Sequence, residues 1–510
     1  MAHDRPVILP FRPDDSSVRP PAILLTSYMT GAAGGKNLGM AGYSYDIVTQ
    51  KYMPLLERLG EVIPVPHPRR NLETAVGAAR RRGLEPVHLS FLPFQDVQLA
   101  RSAPNVVVPA WEFPDVPDYP FGGNPQNDWP ATANRCSLIL VGGPFTADAL
   151  RRAGTVTPIR IVQVPTPAEY FDLPAWDPAG QVSVDCKCYT LPQESPVRGV
   201  ISAPAPRPAG IQRAGIGKIA APSRGKRMIK ALGPCARWLY KRVVRPGLSE
   251  RAARSVRKAW EAGRAAWKNP PGAFGLARRT QLDLSGIVYT SILNPNDGRK
   301  NWQDLLTGFL LGLGDCPDAT LVVKLITSDP DAVSRVLGFY KGREIPHRCK
   351  LVFVIGYLSE EQLLALAEGS TYYLQTTRAE GNCLPLMNYL SAARPGISPR
   401  HSAMLDYFDD KVGFVVDSHP EPAAWPHDPW LRTRTTWGRI VWPSLVEQLR
   451  ESYRVAKEDR ARYDLLAGRG RQRMFEWVGP DSIEPRLRSA LDLVRADNSS
   501  TTIERRLRAA

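Results

Sequence analysis

Short apolar runs recur along the chain in two series, each run followed by residues at helical spacing. The first series is PAILLTSY (Pro21–Tyr28), EVIPVP (Glu61–Pro66), VHLSFLP (Val87–Pro93), NVVVPAWEF (Asn105–Phe113), SLILVGG (Ser137–Gly143) and IRIVQVP (Ile159–Pro165). Such brief runs, apolar on successive residues and alternating with helices, indicate strands buried on both faces of a parallel, doubly wound sheet. The alternation stops near Asp172. The chain is then Pro- and Gly-rich and strongly basic until about Thr280. It resumes in GIVYTSIL (Gly286–Leu293), ATLVVKLI (Ala319–Ile326), KLVFVIG (Lys350–Gly356), TYYLQTT (Thr371–Thr377) and VGFVV (Val412–Val416), with helical stretches between them. From Trp437 onward apolar residues keep near-helical spacing. The expected architecture is α/β: two Rossmann-like domains facing a cleft, residues 1–171 and 281–436. An insert or linker, 172–280, joins them, and C-terminal helices, 437–510, return to the first domain. No fixed-period repeat is visible.

Composition narrows the class. At 510 residues, 43% hydrophobic and 23% charged, the chain fits an ordinary globular protein of two or three domains. It contains no run of eighteen apolar residues, and its start, MAHDRPVILPFRPDD, lacks the layout of a secretory signal. The seven cysteines are scattered, and CKC at Cys186–Cys188 is too tight for the usual zinc spacing. A cytoplasmic protein with reduced thiols is expected.

The net charge of +16 is almost entirely local: residues 207–268 hold seventeen Lys/Arg against Glu250 and Glu261. Met228, Leu232, Cys235, Leu239 and Val243 lie there at near-helical spacing, interrupted by Pro234. A basic amphipathic segment can lie on an anionic membrane surface, which would place the chain peripherally on the inner face. A solvated or domain-packed insert is the alternative. Nucleic acid is not an expected partner, because the segment has the charge but carries no aromatic stacking motif.

In open parallel sheets, ligands bind beyond the carboxyl ends of the strands. RAEGNCLPLMNYLSAARP (Arg378–Pro395) sits at such an end and opens a helix. Unpaired N–H groups at Gly381, Asn382, Cys383 and Leu384 could receive hydroxyls or phosphate oxygens, and Glu380 could accept from hydroxyls. As a plain helix-terminus carboxylate, Glu380 would need no ligand. Arg299 and Lys300, in NPNDGRKNW, precede another helix and could meet a diphosphate. In the first domain, Gly31, Gly34 and Gly35 would let backbone approach a ligand. Glu112, after an apolar strand, is the carboxylate expected to face the cleft and to position or deprotonate an acceptor hydroxyl. Lys324 is expected to point to the same cleft. His88 reads as a satisfied core histidine. Asp329 and Asp331, although spaced like a metal-binding pair, read as helix caps.

These stretches resemble the carboxyl-terminal domain of retaining GT-B glycosyltransferases, the "glycosyl transferases group 1" class. The resemblance rests on NPNDGRKNW, the Glu380 stretch and PRHSAMLDYFDDKVGFVV (Pro399–Val416), and extends more faintly to the glycine-rich first loop, PAWEF and GGPFTADAL. It implies a metal-independent hexosyltransferase that needs no cofactor. A sugar would pass, with retention, from a nucleotide-sugar donor to a glycan or lipid-linked acceptor, in cell-surface polysaccharide biosynthesis. It implies that Glu380 binds the donor sugar and that Lys300 meets the diphosphate, with Arg299 standing in for an arginine whose usual place falls near Asn294. His401 falls on a loop bordering the donor. The chain departs at Asn388, where the class carries a second glutamate on the ribose. An amide loses the charge-assisted bond. A catalytically degenerate GT-B scaffold that binds a glycan or protein partner is therefore the alternative.

Overall fold

A computed structural model of the chain describes residues 20–28, 38, 41–191, 278–424 and 434–499. The glycines at 31, 34 and 35 and the basic segment 207–268 lie outside them.

The first series of runs forms β1 (Pro21–Ser27), β2 (Glu61–Pro64), β3 (Glu85–Phe91), β4 (Asn105–Val107), β5 (Leu138–Val141) and β6 (Ile159–Ile161). They make one sheet of order β2-β1-β3-β4-β5-β6, parallel throughout. Successive side chains leave a strand on opposite sides, so Ile23 and Leu25 join one core with Leu89, Tyr52 and Leu55, while Leu24 joins another with Leu72 and Val76. Both faces are apolar because both are covered, as a parallel sheet requires.

The second sheet contains β7 (Val182–Leu191), β8 (Arg278–Leu284), β9 (Ile287–Leu293), β10 (Ala319–Leu325), β11 (Lys350–Ile355), β12 (Tyr372–Leu374), β13 (Gly396–Pro399) and β14 (Gly413–Val416). Its order is β14-β13-β12-β9-β10-β11-β7-β8. The six strands from β9 to β14 are parallel. β7 runs antiparallel to β11 and β8. Strand order reverses between β9 and β12, which makes the ends of these two neighbours the switch point, where such sheets bind ligands.

The 172–280 assignment needs correction. Val182–Leu191 is a strand of the second sheet. Its Val184, Cys186 and Cys188 are buried in the core with Leu282 and Val352, and its alternate residues are exposed. The Pro-rich surroundings obscured this strand, and its period-two pattern, with Asp185 and Lys187 on the exposed face, differs from the continuous apolar runs of the parallel strands. A further hairpin, β15 (Ser418–Ala424) and β16 (Arg434–Ile440), follows β14 and spans the boundary placed at 436.

Three helices end the described chain. Trp442–Glu458 and Arg460–Val478 pack on the second domain, Leu449 against Gly312 and Gly470 against Leu390. Only the last, Pro480–Ser499, lies on the first sheet, where Ile483, Leu487, Ala490, Leu491 and Val494 are buried with Ile23, Val87 and Leu138. Among the described residues, no helix is long and apolar enough to cross a membrane.

Candidate functional site

The two strands at the switch point run into loops with a common ending. β9 leads through a 3-10 turn, Gly298–Lys300, to Asn301, which has φ 47° and opens the helix Trp302–Leu313. β12 leads to Cys383, with φ 56°, which opens the helix Leu384–Ser391. Asn tolerates the left-handed region, whereas Cys is strained there. The Cys383 thiol donates to Gln375 Oε1 at 2.8 Å, and Gln375 Nε2 donates to Ser398 Oγ at 2.7 Å. This buried chain holds the turn in place.

Between the two loops the charged residues are paired. Lys300 Nζ lies 2.5 Å from Glu380 Oε1. Arg299 reaches Asp297 through Nη2 at 2.7 Å and through Nε at 3.2 Å. Its Nη1 crosses to the first domain and meets Glu112 Oε1 at 3.0 Å. The side chains of Glu112, Arg299 and Glu380 are 11%, 16% and 9% exposed, so these pairs escape most solvent screening. Burial works against charge on Arg299 and Lys300. The carboxylates of Glu112 and Asp297 for the first, and of Glu380 for the second, more than offset it and raise both cations above their ordinary range. Burial also opposes the Asp297 charge, but Arg299 and Lys300 prevail and hold that carboxyl low.

The Glu380 backbone is held from the other side. Its N–H donates to Ser402 Oγ at 3.0 Å, and its carbonyl accepts from Ala403 N at 3.2 Å. His401 Nε2 lies 3.0 Å from the Thr377 carbonyl, which can only accept, so Nε2 carries the proton. Nδ1 is then left to accept from the Ser402 hydroxyl at 3.2 Å. Burial lowers the His401 pKa and keeps the ring neutral. His401, whose role the sequence left open, thus orients the serine that holds Glu380.

Loops of the first domain close directly on this constellation. A Cβ at Gly381 would stand 3.1 Å from the Trp111 carbonyl oxygen, a tight contact that a larger residue would relieve only by pushing the two backbones slightly apart. Asn382 packs on Gly142, and Asp406 on Gly143, each where any side chain would collide. Asp406 Oδ2 accepts from Phe145 N at 3.3 Å, in the first turn of the helix Pro144–Arg152. Asp406 and the Gly142–Gly143 pair lie in the resembling stretches PRHSAMLDYFDDKVGFVV and GGPFTADAL, but neither was assigned a role from the sequence.

Other candidates lie apart. Asn388 is one turn along its helix, and its Oδ1 accepts from Thr166 Oγ1 at 3.4 Å, in the crossover that leaves the first sheet. Lys324 is buried in β10, donates to the Gly356 and Leu325 carbonyls, and is pushed down to about 8 by burial. It braces the loop after β11. His88 bridges Thr26 Oγ1 and Asn105 Oδ1, both at 2.9 Å, and is fully buried. Asp329 accepts from Asp331 N at 3.0 Å and caps the helix Pro330–Arg343. A surface groove beside Trp442, Val446 and Arg450 lies on the C-terminal helices and touches none of these residues.

No family model and no curated protein matches the chain. Solved structures do. Sucrose-phosphate synthase from Thermosynechococcus elongatus aligns over 94% of this chain and 100% of its own, with TM-score 0.51 at 12% identity. The fold is GT-B. Two further matches are more distant. Anabaena HepE, solved with UDP and glucose, has TM-score 0.48 at 10% identity over 93% of this chain and 100% of its own. A mutant of TarM from S. aureus has TM-score 0.44 at 8% identity over 82% of this chain, which spans 58% of TarM's length. In the GT-B frame, Glu112 comes from the first domain, Arg299, Lys300 and Glu380 from the second, and they meet at the interdomain cleft.

Proposed function

We propose that this chain is a glycosyltransferase. It moves a hexose from a nucleotide-sugar donor to a glycan or lipid-linked acceptor in cell-surface polysaccharide synthesis, with retention at the anomeric carbon. The observation that carries the reading is the paired constellation Glu112–Arg299 and Lys300–Glu380 at the switch point of the second sheet. Arg299, which already bridges both domains, and Lys300 can each trade a carboxylate for the diphosphate, and Glu380, released by Lys300, can accept from the hydroxyls of the donor sugar. N–H groups of the loop from Gly381 to Leu384 can add to the phosphate site.

As the anomeric C–O bond breaks, its electron pair goes to the diphosphate oxygen. Arg299 and Lys300 stabilise that developing charge, which is the part played elsewhere by a metal ion. The acceptor oxygen forms the new bond to the same carbon. Its proton passes to the departing phosphate oxygen, because Glu112 is committed to Arg299 and serves to position the acceptor. No cofactor is required.

A second reading, a scaffold without turnover, draws on Asn388, whose side chain faces Thr166. A donor screen by ligand-induced thermal shift separates donor binding from its absence. A nucleotide-sugar at about a hundred times its Kd should add about 2.7 kcal/mol. Stabilisation by no nucleotide-sugar would overturn the proposal. Donor binding without sugar transfer to any acceptor or water would leave only the scaffold.

A further inference from the structure

The β15–β16 hairpin belongs to the second domain in sequence, yet it packs where the domains meet. Trp437 lies against the cluster that joins Leu92, Phe94, Trp111 and Phe113 of the first domain to Ala379 of the second. Its Nε1 donates to Glu421 Oε1, on the facing strand, at 2.7 Å. The Arg378 guanidinium stacks over its ring, 4.8 Å from the centroid. Thr435 Oγ1 donates to Asp115 Oδ2 of the first domain at 3.1 Å. Gly438 N donates to the Arg378 carbonyl at 2.7 Å, and Gly438 sits so close to the His401 ring that any Cβ would collide with it.

Both supports of Glu380 therefore run through this hairpin. Arg378 stands two residues before Glu380, and its N–H is tied to the Arg299 carbonyl at 2.7 Å. His401 orients Ser402, which holds the Glu380 N–H. Arg378 depends on the indole more than on hydrogen bonds. Its Nε is enclosed with no hydrogen-bond partner, and its Nη2 reaches Asn301 Oδ1 only at 3.4 Å. A guanidinium on an indole face makes a cation–π contact, here between two partly buried residues.

We propose that Trp437 is a positioning residue. Through Arg378 and the adjoining Gly438–His401 contact, it fixes the Glu380 loop against the first domain, so that Lys300–Glu380 and Arg299–Glu112 keep their spacing. The catalytic consequence rests on the donor-site reading above; the structural one does not.

Hydrogen exchange on the full chain tests it in Trp437→Ala, Trp437→Phe and Thr435→Val. In Trp437→Ala, amides of 376–382 and 110–116 should exchange about tenfold faster, while the helix Trp302–Leu313 stays protected. Trp437→Phe, which keeps a ring face, should restore most of the protection. Thr435→Val should loosen 110–116 alone, and it remains informative if Trp437→Ala does not fold. In turnover, Trp437→Ala should lower kcat about a hundredfold with little change in donor KM, the signature of a misplaced group. Unchanged exchange at both loops in Trp437→Ala would overturn the proposal, as would a Phe variant as loose as Ala. If the loops loosen but the wild-type chain transfers no sugar, the positioning role stands and the donor reading alone falls.

Discussion

The Arg299 guanidinium holds Asp297 within its own loop and Glu112 across the cleft, and both bonds are largely screened from water. Removing one member of such a network costs more than the bond, because the remaining charges are stranded. Arg299→Met strands two carboxylates and should cost about 3–5 kcal/mol. Glu112→Gln leaves Arg299 with Asp297 and keeps an acceptor oxygen, so about 1–2 kcal/mol is expected. Urea midpoints of the two variants check this order, and a reversed order contradicts the pairing. Lys51 is the opposite case. Its Nζ is enclosed with no hydrogen-bond partner, and burial pushes it down to about 8, with only partial relief from Glu360 and Glu169. The unfolded chain therefore binds the extra proton between about pH 8 and the ordinary 10.5, so this group makes stability rise with pH across that window. Lys51→Met should raise stability at pH 7 and abolish that rise. A midpoint-versus-pH series on both proteins shows either outcome.

At the scale of elements, the first turn of the helix Pro144–Arg152 meets Asp406 of the other domain. Burial raises the Asp406 carboxyl to about 6, the Phe145 N–H opposes that shift, and Asp148 adds to it. Its folded pKa exceeds the ordinary 3.8, so the native state binds the extra proton between about pH 4 and 6, and stability from this group falls as pH rises through that window. Asp406→Asn should flatten that slope in a titration of unfolding midpoints; an unchanged slope would mean that the carboxyl is not buried at the interface. The last helix offers a packing test. Ile483 and Leu487 are fully buried beneath the first sheet, so alanine at either should cost about 2–5 kcal/mol in urea unfolding. Most strands of both sheets were legible because buried parallel strands are continuous apolar runs. β7 and β8 were not, because polar and charged residues such as Asp185, Lys187 and Gln281 alternate with their buried ones, and β13, only Gly396–Pro399, is too short to stand out. At the site, Glu380, Lys300, Arg299 and Glu112 were legible as charges at strand ends. Their pairing was not, because it is made between residues 80 or more positions apart. His401, Asp406 and Trp437 act through partners in other elements, and no local pattern marks such a residue. The αL turn at Cys383 was equally hidden, since cysteine carries no preference for it.

Across the whole molecule, the described residues bring one parallel and one mostly parallel sheet together around one charged contact, with loops of each domain seated on glycines of the other. The basic segment 207–268 lies outside this part, and the expectation for it comes from sequence. Binding to anionic vesicles should fall as salt rises and should be lost on deleting the segment, while transfer to a soluble acceptor persists. Salt-independent binding, or binding that survives the deletion, would remove the membrane from the account. Central to that account is the claim that Glu380 acts on a donor sugar at the domain interface. The most direct measurement is release of nucleoside diphosphate from the donor that stabilises the chain, followed for the wild type and for Glu380→Ala at matched folded fractions. The account predicts steady release by the wild type and a loss of about a hundredfold or more in Glu380→Ala, whose urea midpoint shows that it is still folded. Equal release by the two proteins would contradict it.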